Sequence, residues 1–381
     1  MHTPIYLDHN GTTPVDPEVL AAALPYLEQH FGNPSTKSAY GKNARAGLDR
    51  ARSEVAELLG CDPSEVVFTG GASEANNFLV KGLAFAWEGP GRPHFVTSTV
   101  EHPSILQPLA FLERKGLAEV TRVDVDAQGR VAPESVKAAL RPNTALITVM
   151  HANNEVGTVQ PLPKLRLGTP PLHTDAAQSA GKLSVNVREL GVDFLTLAGH
   201  KMYAPKGVGA LYVRSGLKLE PLIHGAGHEA GRRSGTENVA FVVALGAACR
   251  LALQRWREDA RRMAAQRDRL WQTLAGQLGE RVSRNGHPEA CLPNTLSVNF
   301  LGVTGAELLG RCADLAASTG PACHDGVVRL SHVLEAMRVP LEVGKGAVRL
   351  SLGRHTTDEQ IERAGRSLVE AYLAGVGDGV L

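Results

Sequence analysis

Cysteine is scarce in this sequence: five residues, at positions 61, 249, 291, 312 and 323, in a chain of 381. Few, odd in number and widely spaced, they argue against a disulfide framework and against a clustered zinc site, and no metal is expected. They fit a reducing compartment, so the expected location is the cytoplasm. Long apolar runs are missing too, and no segment is expected to cross a bilayer. The start, Met1-His2-Thr3-Pro4-Ile5-Tyr6-Leu7-Asp8, lacks the basic and apolar regions of a secretion signal. An excess of one charge is also absent: 40 Lys and Arg against 39 Asp and Glu leave a net charge of +1. No global field therefore recruits nucleic acid or anionic lipid. There is no internal repeat and no low-complexity tract. What is there, 43% hydrophobic and 21% charged residues, is the composition of a soluble globular protein.

The length supports one large domain of roughly 250 residues and a smaller one of roughly 100, each with its own core. Asp16-Pro17-Glu18-Val19 opens a helix with an acidic cap and Pro at its first position, and Leu20, Leu24 and Leu27 continue it. A second helix is predicted over 44–59 from the face Leu48, Ala51, Val55, Leu58 and Leu59. Strands are then predicted at 65–69, 94–98, 119–125, 145–150, 194–197 and 209–213, with helices at about 72–85, 104–115 and 135–140 between them. Strands separated by helices imply a mostly parallel α/β sheet whose functional residues sit in loops at strand ends. From about 238 to 279 the pattern is helical, first apolar and then rich in Arg, Glu and Gln; this stretch is the candidate connector to the smaller unit. Strands at 295–300 and 347–351 and a last helix opening at Thr357 make that unit α+β. The tail from Gly375 to Leu381 is expected to be loose.

Several segments could carry chemistry. Gly70-Gly71-Ala72-Ser73-Glu74 lies between a strand and a helix, where backbone amides and the Ser73 hydroxyl suit a phosphate. It lacks the glycine spacing of a dinucleotide fingerprint, and many αβ loops hold two glycines with no ligand. In His173-Thr174-Asp175-Ala176-Ala177-Gln178 an acid beyond a strand could pair with a protonated heterocyclic nitrogen, or simply cap a turn. Ala198-Gly199-His200-Lys201 places a lysine after an apolar strand, either to form an imine or as a surface cation. Ser318-Thr319-Gly320-Pro321-Ala322-Cys323-His324-Asp325-Gly326 places a thiol in a weakly hydrophobic stretch that reads as an exposed mobile loop, with Gly320 and Gly326 as hinge allowances. Cys323 is thus the best nucleophile candidate of the five cysteines.

In order, these segments resemble the cysteine desulfurases, in the class V branch of the fold type I pyridoxal-phosphate enzymes. The likeness runs through Tyr6 to Pro14, His30 to Ser35, Phe68 to Asn77, Glu101-His102 and Ala152 to Gly157. It continues in His173 to Gln178, Gly199-His200-Lys201, Arg233-Ser234-Gly235-Thr236-Glu237-Asn238, Cys323 and Ser351-Leu352-Gly353-Arg354. The resemblance implies a large domain over 15–258 with a mostly parallel seven-stranded sheet that binds pyridoxal 5'-phosphate. It implies a smaller α+β domain from 1–14 and 259–381 that carries the cysteine loop. It further implies Lys201 as the Schiff-base lysine and proton shuttle, Asp175 on the pyridinium nitrogen, Gln178 on the ring oxygen and His102 stacked on the ring. Ala72, Ser73 and His200 would hold the phosphate, with Thr236 contributing across a homodimer interface; Arg354, aided by Asn154, would hold the substrate carboxylate. Cys323 would take sulfur from L-cysteine as a persulfide, leaving alanine, and pass it to an acceptor protein such as an iron–sulfur scaffold.

Three departures stand out. Family members commonly have Ser where this chain has Ala198, which removes one phosphate hydrogen bond unless Thr196 or water replaces it. The stretch 163–172 is short and holds Gly168, Pro170 and Pro171, which oppose the usual helix. Pro321-Ala322-Cys323-His324 differs from the common Ser-Ala-Cys-Thr and, with Ala198, resembles selenocysteine lyases. Selenocysteine lyase is therefore the alternative activity, and a cofactor-retaining scaffold without turnover the alternative of another class.

Overall fold

The structure, a computed structural model, describes residues 4–320, 322–324 and 327–377, with side chains over 4–320 and 329–376. The predicted acidic cap forms: Asp16 accepts the Glu18 amide at 2.9 Å, and helix α1 runs Pro17–Glu28. Helix α2, Ala39–Leu59, begins five residues before the predicted start because Ser38 caps it, accepting the Gly41 amide. It ends at Gly60, whose φ of 67° is the left-handed conformation that glycine adopts without strain. Helices α3 (Ala72–Phe85) and α4 (Pro103–Arg114) follow at the predicted places.

Seven strands form the large sheet: β2 Val66–Thr69, β3 His94–Ser98, β4 Glu119–Val123, β5 Thr144–Thr148, β6 Leu172–Asp175, β7 Phe194–Ala198 and β8 Gly209–Val213. The two-residue β1, Ile5–Tyr6, lies outside it. The order is β2-β8-β7-β6-β5-β3-β4, with β8 antiparallel to both neighbours and the remaining pairs parallel. Both faces of the central strands are covered, which is why β2, β5, β7 and β8 read as nearly unbroken apolar runs. Val66, Phe68, Val96, Ile147, Leu195 and Leu197 face α2 and the first half of the long helix Val239–Leu278. The alternate residues Val67, Phe95, Leu146 and Phe194 face α3 and α4.

A second, antiparallel sheet holds β9 (Val282–Asn285), β10 (Thr295–Phe300), β12 (Ser318–Thr319) and β15 (Ala347–Ser351) in the order β12-β15-β10-β9. Its core joins Leu296, Val298, Phe300, Val348 and Leu350 to Leu270, Leu274 and Leu278 of the long helix and to Ile361, Leu368 and Tyr372 of the last helix. Ile5 and Leu7 belong to the same core, and β1 pairs in parallel with β11, Leu315–Ala316. The long helix thus serves both cores, burying Val239 to Ala252 against the large sheet and Met263 to Leu278 against the small one. By length and composition its apolar stretch is enough to cross a membrane, contrary to the sequence expectation; 67% of that stretch is buried inside the protein, where its apolar face is used.

The stretch 163–172 forms no α-helix: a short turn at Leu162–Leu165 buries both leucines, and β6 begins at Leu172. The segment expected to be a mobile loop contains paired strands, β13 (Ala322–His324) antiparallel to β14 (Val327–Arg329), with Cys323 opposite Val328. At Gly320 a Cβ would come within 3.0 Å of Ala347 Cβ and 3.1 Å of Leu334 Cδ1, so glycine allows close packing there. Gly326 lies outside the described residues.

Candidate active site

A cavity of about 560 Å³ opens beyond the carboxyl ends of β6 and β7 and against the start of α3. Parallel strands with covered faces leave their end loops as the place where polar groups can converge. Eight of the predicted residues line it together: Ala72, Ser73, His102, Asn154, Asp175, Gln178, His200 and Lys201.

Each is positioned by local structure. Ala72 and Ser73 are the first residues of α3, whose first-turn amides have no acceptor within the helix. Gly71 precedes them at φ 145°, and Gly209 packs so closely on it that a Cβ at 209 would lie 2.8 Å from Gly71 Cα. Asp175 is the last residue of β6; its Oδ1 accepts the Ala177 amide at 2.9 Å and its Oδ2 accepts from Asn76 at 2.7 Å. Lys201 ends the turn Gly199–Lys201 after β7, and its amine donates to the carbonyls of Asn10 and Gly11. Burial, then the Arg349 charge, lowers the Lys201 amine to about 8. His200 meets the Thr12 hydroxyl at 3.1 Å and is pushed down to about 4 by burial and by the cations Lys201 and Lys206. His102 caps α4 through Nδ1, which accepts the Ser104 amide at 3.1 Å; burial first, then Lys201 and His332, lower its pKa.

Arg354 is not in this cavity. It is 8% exposed, its Nε donates to Asp259 at 2.9 Å, its Nη1 donates to Asp16 at 3.0 Å, and its guanidinium lies 4.6 Å over the Tyr203 ring. Two carboxylates pair with it, and it does not line the cavity in which it was expected to hold a substrate carboxylate. Arg349, which the sequence reading passed over, lines the cavity instead. It donates to the Asn154 carbonyl at 3.1 Å, to Asp8 at 2.6 Å and to Ser318 at 3.0 Å, while its buried Nε has no partner among the described residues. The available signal was a charge in the middle of the apolar strand β15, whose neighbours Val348 and Leu350 are fully buried.

Thr236 is exposed and lies in an adjoining hollow of about 230 Å³ that shares Gly70, Gly207 and Val208 with the main cavity. The Cys323 side chain lies outside the described side chains, but both flanks of its hairpin are anchored at the cavity. Ser318 before it bonds Arg349, and His332 after it donates from Nε2 to the Glu101 carbonyl at 2.9 Å, next to His102. Ala198 lines the cavity as a methyl group. Thr196 does not compensate for it, because its hydroxyl bonds His173 at 3.2 Å and it is fully buried away from the cavity.

The lining fits pyridoxal phosphate. Amides at the α3 start, Ser73 and His200 suit a phosphate, Asp175 a protonated ring nitrogen, and Lys201 an aldehyde. Gln178 is 6% exposed, and its buried Oε1 has no partner among the described residues, a polar capacity that suits a ligand.

Comparisons with known proteins identify the chain's relatives. The family described as Aminotransferase class-V matches residues 5–364. A protein named cysteine desulfurase IscS from Dictyoglomus turgidum is 41% identical over 367 residues, covering 95% of this chain and 92% of its own. Another of that name from Methanosarcina thermophila is 41% identical, covering 94% and 89%. Among solved structures, a NifS-like protein superposes with a TM-score of 0.90 at 34% identity, over 97% of this chain and 99% of that one. A structure described as SspA in complex with cysteine gives a TM-score of 0.81 at 36% identity, over 92% and 99%.

Proposed function

Since the chain belongs to the class-V aminotransferase family, on its NifS-like cysteine desulfurase branch, we propose that it converts L-cysteine to L-alanine and moves the sulfur onto Cys323. The observation that carries the reading is the convergence of Lys201, Asp175 and Arg349 on one cavity whose rim anchors both flanks of the Cys323 hairpin. Pyridoxal phosphate, held by Ala72, Ser73, Asp175, Gln178, His200 and Lys201, supplies an electron sink for charge developing at the substrate Cα.

The chain's own groups do the rest. Arg349, which lines the cavity, binds the substrate carboxylate beside Asn154. Lys201, lowered to about 8, exchanges protons near neutral pH at the substrate Cα. The Cys323 thiolate attacks the substrate sulfur: an S–S bond forms, the substrate Cβ–S bond breaks with its electron pair returning to carbon, and protons delivered to carbon complete alanine. The persulfide then passes to an acceptor protein such as an iron–sulfur scaffold. Thr236, exposed beside the cavity rather than in it, serves a second copy of the chain in a homodimer.

A second reading, selenocysteine lyase, is favoured by Ala198 in the cavity wall. Alanine formed from cysteine and, separately, from selenocysteine separates the two, using wild type and Cys323→Ala. The cysteine reading predicts alanine from cysteine that falls at least about 100-fold in the variant. Normal turnover of cysteine by Cys323→Ala refutes the persulfide step, and wild type active on selenocysteine alone establishes the second reading.

A further inference from the structure

Asn76 lies in α3, fully buried, and does not line the cavity. Its Nδ2 donates to Asp175 Oδ2 at 2.7 Å and to Ser104 Oγ at 2.8 Å. Ser104 Oγ lies 2.8 Å from His102 Nδ1, and the Ser104 amide donates to the same nitrogen at 3.1 Å.

Chemistry fixes every direction along this chain. An ionised carboxylate only accepts, so the end of the Asn76 amide facing Asp175 is its NH2. The second hydrogen of that NH2 goes to Ser104 Oγ, whose own proton is then left for His102 Nδ1. A ring nitrogen facing two donors is the unprotonated one, so the His102 proton sits on Nε2. Packing alone does not explain the residue. Asn76 Oδ1 is buried without a partner among the described residues, a liability that an apolar side chain of similar size avoids.

We infer that Asn76 and Ser104 are positioning residues that join Asp175 to His102 in one hydrogen-bonded unit, orienting the carboxylate and holding the imidazole in its Nε2–H tautomer. The inference rests on the activity proposed above and deepens it: with Nδ1 committed to Ser104, the resting His102 gives a proton or hydrogen bond from Nε2 and does not act there as a base. It also links the acid at the end of β6 to the imidazole capping α4, so that substitutions at either end are felt at the other.

The test has two readouts. Nitrogen-15 NMR of the holoenzyme carrying labelled histidine, with His102 assigned by comparison with His102→Gln, reads the tautomer directly. Wild type is expected to show protonated Nε2 and bare Nδ1, with Asn76→Leu and Ser104→Ala shifting toward a mixture. In alanine formation each single variant is expected to lose about 10- to 100-fold in kcat, and the double variant no more than the worse single one, because both act through one unit. If Asn76→Leu does not fold, Ser104→Ala alone still reads the tautomer. A wild-type Nδ1–H form, a tautomer unmoved in both variants, or losses that multiply in the double variant overturns the inference. A wild type that makes no alanine refutes the activity and leaves the tautomer readout standing.

Discussion

At the scale of single residues, the two arginines of the Ala347–Arg354 segment show how far chemistry can be read without coordinates. Only Arg354 belongs to the family-like run Ser351–Arg354, and the residue type for gripping a carboxylate was legible there. Which of the two lines the cavity was not, because it depends on Asp16 and Asp259, which arrive at Arg354 from distant segments and pair with it. The pair makes a sharp prediction. Arg349→Gln raises KM for cysteine about 10- to 100-fold and costs less stability than Arg354→Gln, since it breaks one ion pair, to the partly exposed Asp8, rather than two. Arg354→Gln strands two carboxylates with little solvent access and costs about 3–5 kcal/mol of stability. Steady-state kinetics beside urea unfolding of both variants checks it; the reverse pattern returns the carboxylate to Arg354. Lys201, Asp175 and Ser73 were legible because each sits at a strand or helix terminus that apolar patterning locates. Asn76 was not, since its partners come from β6 and α4.

At the scale of elements, β2, β5, β7 and β8 were readable because burial on both faces writes an apolar run into them, while β6, Leu172-His173-Thr174-Asp175, carries no such run. The short pairs β1–β11 and β13–β14 were not, since two or three residues carry no period and their pairing is set by tertiary placement. The early start of α2 escaped because its first turn holds Gly41 and Lys42, which read as loop until the Ser38 cap is seen. Strand β6 carries its own pH signature. His173 is fully buried between the Thr148 hydroxyl at 2.8 Å and the Thr196 hydroxyl at 3.2 Å, and burial lowers it from 6.5 to about 3. A depressed folded pKa contributes stability above the unfolded value of about 6.5 and loses it as pH falls toward the folded value. Between pH 7 and pH 5 this histidine therefore withdraws about 2 kcal/mol, at about 1.4 kcal/mol per pH unit below 6.5. His173→Gln should flatten the acid limb of a urea-unfolding series by that amount; an unchanged slope would show that position 173 does not titrate between folded and unfolded states.

At the scale of the whole molecule, the cavity draws on both cores. The large sheet brings Asp175, Lys201 and the start of α3, while β15 of the small sheet brings Arg349 and the hairpin that carries Cys323. The amino-terminal segment threads between them: Ser351 donates its amide to the Leu7 carbonyl at 2.7 Å, and Asn10 presents its carbonyl to both Lys201 and Gln178. The two hydrophobic cores, one on each sheet, match the grouping of strands that periodicity suggested. The role of residues 8–11 in joining the units at the site was not legible, because a two-residue strand and a turn leave no pattern. The proposed function rests on Lys201 holding the cofactor opposite Asp175. Lys206 lines the same cavity, and Lys182 is buried beside Lys201 in a small neighbouring pocket, so the assignment is open to direct contradiction. Borohydride reduction of the holoenzyme, followed by digestion and mass mapping, locates the modified lysine. The pyridoxyl group is expected on Lys201 and lost in Lys201→Ala; its attachment to Lys182 or Lys206 in wild type would contradict the account.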